Sequence, residues 1–149
     1  MNTDQIPVRD GPRPEVVGPQ PHGQRTQNAP RELQEEVIHR VLELPGVSEA
    51  ESRVSVPGAR AFVLDEAHRR GPSEAFQAAR EFAHIHPPDD GSLHMTLPNE
   101  VAQAAYATGW GEPHPLFGTP LIFGPRNETE LEVVWGLLRA SYDYASGDP

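Results

Sequence analysis

A chain of 149 residues has room for one domain. It contains neither cysteine nor lysine, and its twelve basic residues are all arginine. Disulfides, thiolate metal sites, cysteine nucleophiles, Schiff-base lysines and phosphate-loop lysines are therefore excluded. The net charge of −10 speaks against nucleic-acid and anionic-membrane partners. No apolar run approaches the roughly 20 residues of a spanning helix, and no continuous apolar segment marks a signal peptide, so the expected location is cytoplasmic.

Residues 1–29 carry prolines at 7, 12, 14, 19 and 21, three glycines and few large apolar groups. That composition predicts a disordered tail, with the folded domain spanning 30–149. Arg31 to Leu44 reads as a helix, with Pro30 at its start, a stripe of Leu33, Val37, Val41 and Leu44, and Pro45-Gly46 as its stop. Arg53–Val56 and Ala61–Leu64 read as short strands around the turn Pro57-Gly58. Asp65 to Ser73 reads as a loop. Phe76–His86 and Leu93–Leu97 then form a hairpin. Asn99–Thr108 is a helix ended by Gly109, Trp110–Thr119 a loop, and Pro120–Gly124 a brief strand. Asn127 caps the last helix, with Glu130 three positions on, and Leu131, Val134, Trp135, Leu138 and Tyr142 share a face. The order α-β-β-β-β-α-β-α predicts an α+β fold: helices packed on a largely antiparallel sheet.

The run REFAHIHPPDDGSLHMTLP carries the chemistry. On a strand, His84 and His86 point to one face. If Pro87–Gly91 is a five-residue loop, His86 opposes Ser92, His84 opposes His94, Ile85 opposes Leu93 and Ala83 opposes Met95. One register thus separates an imidazole face from an apolar face, and a one-residue slip would scramble both. Three jobs fit this face: metal binding, general acid–base work, and binding an anionic or enolate ligand together with Arg126. Each residue also has a structural reading. Surface histidines are common, His114 suits a loop hydrogen bond, and Arg126 can pair with Glu128 or Glu130. Strict alternation places Glu81 on the apolar face, where a carboxylate needs a partner such as a distant arginine. Trp110 and Phe117 suit either a pocket wall or the core. His22, His39 and His68 read as solvent residues. The spacing H-x-H-x7-H lacks the glutamate and glycine frame of a cupin site, and no H-E-x-x-H helix occurs, so no resident metal is expected.

Four blocks occur in one order: Arg80-Glu81-x-Ala83-His84-x-His86; Leu93-His94; Gly109-Trp110-Gly111-x-x-His114-Pro115-Leu116-x-Gly118; and Pro125-Arg126-Asn127-Glu128. Together, over about residues 76–145, they resemble the fungal luciferase family and its bacterial luciferase-domain branch, to which residues 45–64 are also similar. The resemblance implies a flavin-free oxygenase acting with dioxygen on a planar, enolisable pyrone-like molecule. It places His84, His86, His94, His114 and Arg126 as catalytic candidates; the residues themselves offer Trp110, Phe117 and Glu81 as substrate-binding candidates. The chain departs from the fungal enzyme at the Pro87–Gly91 tip and in a shorter Leu116–Leu121 loop, and it is expected to lack that enzyme's membrane-anchoring N-terminus.

The expectation is thus a small, cofactor-independent oxygenase-like or acid–base enzyme, with dioxygen as a possible co-substrate and a small molecule as its only expected partner. The alternatives are a non-catalytic binding or interaction module, and a metal-dependent enzyme using the His84/His86/His94 face. Nothing in the sequence specifies an oligomeric state.

Overall fold

The computed structural model describes residues 1–148. Three helices and eight strands follow in chain order: β1 (Val16–Val17), β2 (Gly23–Gln24), α1 (Arg31–Leu42), β3 (Val47–Glu51), β4 (Arg60–Leu64), β5 (Glu81–Ile85), β6 (Leu93–Met95), α2 (Asn99–Ala107), β7 (Gly111–Pro113), β8 (Pro120–Ile122) and α3 (Glu128–Ser146). Strands β3 to β8 form one six-stranded sheet in the order β3-β4-β5-β6-β8-β7, and each neighbouring pair is antiparallel. The fold is α+β, as the element pattern predicts.

Helix ends follow local chemistry. Pro30 precedes α1, where a missing N–H is harmless. The Asn127 side chain accepts the Glu130 amide at the start of α3, and Gly147 ends that helix at φ 81°, a conformation glycine adopts without strain. The apolar stripes of all three helices bury one face of the sheet. Val37, Val41, Ala105, Val134, Leu137 and Leu138 pack in one core with Phe62, Ala83, Ile85, Leu93, Met95 and Ile122. The β5–β6 hairpin has the predicted register: Ala83 opposes Met95, His84 opposes His94, and Ile85 opposes Leu93. His86 donates its amide to Ser92 at 2.9 Å, continuing that register.

Two strand assignments differ from the sequence reading. Arg53–Val56 is a loop, and the strand lies earlier, at β3. β7 sits within what reads as the Trp110–Thr119 loop. Both are edge strands, β3 exposed along most of its length and β7 ending in a proline. Edge strands lack the two-sided burial that writes an apolar pattern into sequence, and they tolerate proline.

The predicted tail is the larger correction. Residues 1–29 lie as an arm over the domain rather than as a disordered tail. Ile6 joins the core, the Trp110 indole N–H donates to the Pro7 carbonyl at 2.6 Å, and the Arg9 amide donates to the Thr108 carbonyl at 2.9 Å. The Arg9 guanidinium lies 5.4 Å from the Phe123 ring centroid. Few apolar side chains are needed because backbone hydrogen bonds and this cation–π contact hold the arm. None of the described helices is long and apolar enough to cross a membrane.

Candidate active site

Side-chain alternation leaves the second face of β5 and β6 to His84, His86 and His94. All three imidazoles are buried, at 2%, 5% and 6% exposure. Surface histidines they are not: the arm and the β7–β8 hairpin cover them. Leu121 opposes His94 on this face, and it is fully buried outside the helix-side core, as is Phe123.

Glu81 reaches this face by an irregularity. Phe62 pairs with Ala83 but Val63 pairs with Glu81, so Phe82 is an extra residue on β5. Such a bulge resets the alternation. Phe82 and Ala83 both face the helix-side core, and Glu81 turns to the imidazole side. There its carboxylate, 2% exposed, accepts from His84 Nδ1 at 2.8 Å, from the Ser52 hydroxyl at 3.0 Å and from the Arg53 amide at 3.2 Å. The expected arginine side-chain partner is absent among these, and a backbone N–H, a hydroxyl and an imidazole replace it.

The other two imidazoles are anchored in the same way. The Ser92 hydroxyl donates to Asp90 Oδ1 at 2.5 Å, and His86 Nδ1 lies 2.8 Å from that hydroxyl oxygen. His94 Nε2 lies 3.0 Å from Nδ1 of His22, whose Nε2 lies 2.9 Å from the Glu112 carboxylate. Arg13 completes this relay on Glu112 at 2.8 Å. His22 is therefore no solvent residue. It is 4% exposed and is delivered by the arm. A Cβ on the next residue, Gly23, would collide with the Asp90 carboxylate, so glycine permits this approach. The Gln24 amide also donates to Asp90, at 3.2 Å.

Burial and the neighbouring His84 and His22 push the His86 imidazole down to about 3. Burial and the surrounding imidazoles, His86 first, push His94 down as well. Burial raises the Asp90 carboxyl, opposed by the hydroxyl and amide of Ser92. Burial, then His22, lowers His114. For His86, His94 and His114 the surroundings thus favour the neutral ring.

The imidazoles line a cleft of about 930 Å³. His114 and Phe117 lie in its wall, as expected, with ring centroids 4.7 Å apart. His114 Nδ1 accepts the Leu116 and Phe117 amides at 3.0 and 3.3 Å, which fixes its proton on Nε2. Val54 and Phe117 form exposed apolar lips, at 50% and 69% exposure. Arg126 and Trp110 do not line the cleft. Arg126 is clamped on Glu130 and reaches the arm, donating to Gln27 Oε1 at 3.0 Å and to the Asp10 carbonyl at 2.7 Å. Its expected structural pairing prevails because Glu130 faces it one helical turn away. Trp110 is buried in the core, its N–H spent on Pro7. His39 and His68 sit away from the cleft, beside Glu43 and Asp65. His22 and Glu112 were missed from sequence. His22 lies in a stretch without periodicity, and Glu112 on a three-residue strand, so no local pattern flags either.

The sheet is closed by helices on one side and opens on the other as a histidine-walled cleft. Residues 79–141 match the family model of the Luciferase domain, so this part of the chain is similar to that family. It is 32% identical over 168 aligned residues to a luciferase of Armillaria mellea, covering 97% of this chain and 62% of that protein. A luciferase of Neonothopanus nambi is 30% identical over 166 residues, with the same shares. A luciferase of Armillaria ostoyae is 39% identical over 79 residues, covering 47% of this chain and 30% of that one. The chain thus spans less than two thirds of the length of these relatives. No solved structure matches it.

Proposed function

We propose that this protein is a luciferase-like oxygenase that acts on a planar, enolisable small molecule of the pyrone or phenol class. The observation carrying this reading is the cleft itself: about 930 Å³, apolar at its lips and floored by buried imidazoles anchored to carboxylates directly or through one intervening group. In this reading a flat ring enters past the apolar Val54 and Phe117, and its acidic hydroxyl meets the imidazole floor. There an imidazole nitrogen accepts the enol proton, and the Nε2–H of His114 donates to the enolate oxygen. The enolate carbon then gives an electron pair to dioxygen, a carbon–oxygen bond forms, and the proton returns to the peroxide. The similarity to luciferases supports the oxygen chemistry, and the anchored imidazoles support the proton transfer.

The test is oxygen uptake and product mass with a panel of hydroxypyrones and phenols. Turnover by the wild type, and its loss by about 10²–10⁴-fold in His84→Ala, is expected. Saturable stabilisation by such a ligand without oxygen uptake would make the protein a binding module instead. The metal-dependent reading has an observation of its own, the convergence of three ring nitrogens.

A further inference from the structure

The three buried imidazoles share one geometry. Each has an outer nitrogen engaged and an inner nitrogen turned toward the other two. The inner nitrogens are Nε2 of His84, Nε2 of His86 and Nδ1 of His94. His86 Nε2 and His94 Nδ1 are 3.1 Å apart. One ring nitrogen from each of the three residues lies within 4.8 Å of the others. His84 Nε2 is buried and has no hydrogen-bond partner.

The positions of the protons follow from the outer partners. An ionised carboxylate only accepts, so every group facing Glu81, Asp90 or Glu112 donates. Glu81 takes the proton of His84 Nδ1. Asp90 takes the hydroxyl proton of Ser92, so the hydroxyl oxygen accepts from His86 Nδ1–H. Glu112 takes the proton of His22 Nε2, which leaves His22 Nδ1 to accept from His94 Nε2–H. In neutral imidazoles every outer nitrogen then carries the proton, and every inner nitrogen presents a bare lone pair. Two bare lone pairs face each other across 3.1 Å, with the third beside them. Such an arrangement is unfavourable unless a cation sits at the convergence point. A shared proton would serve two of the three nitrogens. A metal ion serves all three.

We propose that His84, His86 and His94 form a binding site for a divalent first-row transition-metal ion, with Glu81, Ser92–Asp90 and His22–Glu112 as the partners that fix the ligand tautomers. Three imidazoles on one side of an ion are the donor set of zinc, iron, cobalt, nickel or copper rather than of magnesium or calcium. With metal–nitrogen bonds near 2.0–2.1 Å, tetrahedral ligand nitrogens stand about 3.4 Å apart. The His86–His94 pair, at 3.1 Å, is close to that spacing, and the His84 nitrogen lies within 4.8 Å of both. Three protein ligands leave at least one position open, and here it opens on the cleft. The outer partners reproduce the carboxylate–histidine–metal pattern, in which the second nitrogen of the ring sets both tautomer and orientation. The inference concerns the same cleft as the proposed function and does not require that function's chemistry.

The experiment uses the full chain, stripped with a chelator and titrated with Co²⁺ and with Zn²⁺. One equivalent of each binds, Co²⁺ develops visible ligand-field bands, and the melting temperature rises with added ion. His84→Gln abolishes the bands, and Glu81→Gln weakens Co²⁺ affinity by about 10–100-fold, as loss of an outer partner does. His39→Ala and His68→Ala, at imidazoles paired with carboxylates outside the cleft, bind like the wild type. Circular dichroism checks each fold, and His86→Gln carries the same test should His84→Gln not fold. No saturable binding, or one equivalent retained in folded His84→Gln and His86→Gln alike, overturns the proposal. Oxygen uptake by a protein that binds neither Co²⁺ nor Zn²⁺ would sink the metal site and leave the oxygenase reading intact. Stoichiometric metal without turnover on any enolic substrate would do the reverse.

Discussion

On one side of the β5–β6 hairpin, Ala83, Ile85, Leu93 and Met95 are buried among residues of three helices. On the other side, His84, His86 and His94 are buried to nearly the same degree beneath an irregular arm and a short hairpin. The two faces differ in what burial requires. Apolar burial is non-directional, so any helix with an adequate stripe can close that face. Buried imidazoles need partners at particular atoms, so the second face is closed by individually placed carboxylates and a fourth histidine. The first face therefore holds the fold together, and the second is stabilised only as far as its hydrogen bonds are complete.

Neighbouring substitutions on one strand give the strongest contrast. Leu93→Ala should cost about 2–5 kcal/mol in urea or thermal unfolding, since Leu93 is fully buried in the helix-side core. His94→Gln, one residue on and facing the other way, should cost less in stability. Its turnover on an enolic substrate should fall by about 10²–10⁴-fold. Equal losses of stability in the two variants would mean that both faces belong to one structural core and that the division of labour is wrong.

The same contrast explains what could be read from sequence. The hairpin register was legible because His84, His86 and His94 alternate with Ile85, Leu93 and Met95, and only one pairing keeps both sets together. The helices were legible from their stripes and from Pro30, Asn127 and Gly109. Glu81 was assigned to the wrong face because alternation assumes an unbroken ladder. The extra residue Phe82 shows only in pairing with β4. The arm was unreadable because its attachment depends on a few anchors, Ile6, Arg9 and Gln24, and on backbone groups that no periodicity records. His22 and Glu112 share that fate: each acquires its role from a contact across 72 or 90 residues.

If the arm is held by such discrete contacts, removing one should loosen it without disturbing the helix-side core. Trp110→Phe keeps the aromatic packing and deletes the N–H that binds the Pro7 carbonyl. The expected loss is about 0.5–1.5 kcal/mol. Limited proteolysis should then cut within residues 1–29 faster than in wild type, while the remaining domain resists as before. Uniformly raised cleavage throughout the chain would show that arm and core unfold together.

The smallest effect concerns the clamp at the far end of the arm. Arg126 spans Glu130 on α3 and the Asp10 carbonyl and Gln27 amide oxygen on the arm. Burial pushes the Glu130 carboxyl up, but the hydrogen bonds from the Arg126 side chain and amide outweigh it and hold the group below the usual carboxylate range. A carboxylate depressed in the folded state stabilises above its unfolded value, near pH 4.3 for glutamate, and that stabilisation disappears as pH falls through the folded value. Arg126→Met should therefore be less stable than wild type at pH 7, and the gap should narrow as the pH is lowered below about 4. Because Arg126 is partly exposed, salt should also narrow it. Urea midpoints for the two proteins at pH 7, 5, 4 and 3 measure this directly. A gap that stays constant down to pH 3 would assign the clamp to the neutral contacts with Asp10 and Gln27 rather than to the ion pair. At Arg126 the arm would then be fastened to the start of α3 by neutral hydrogen bonds rather than by charge.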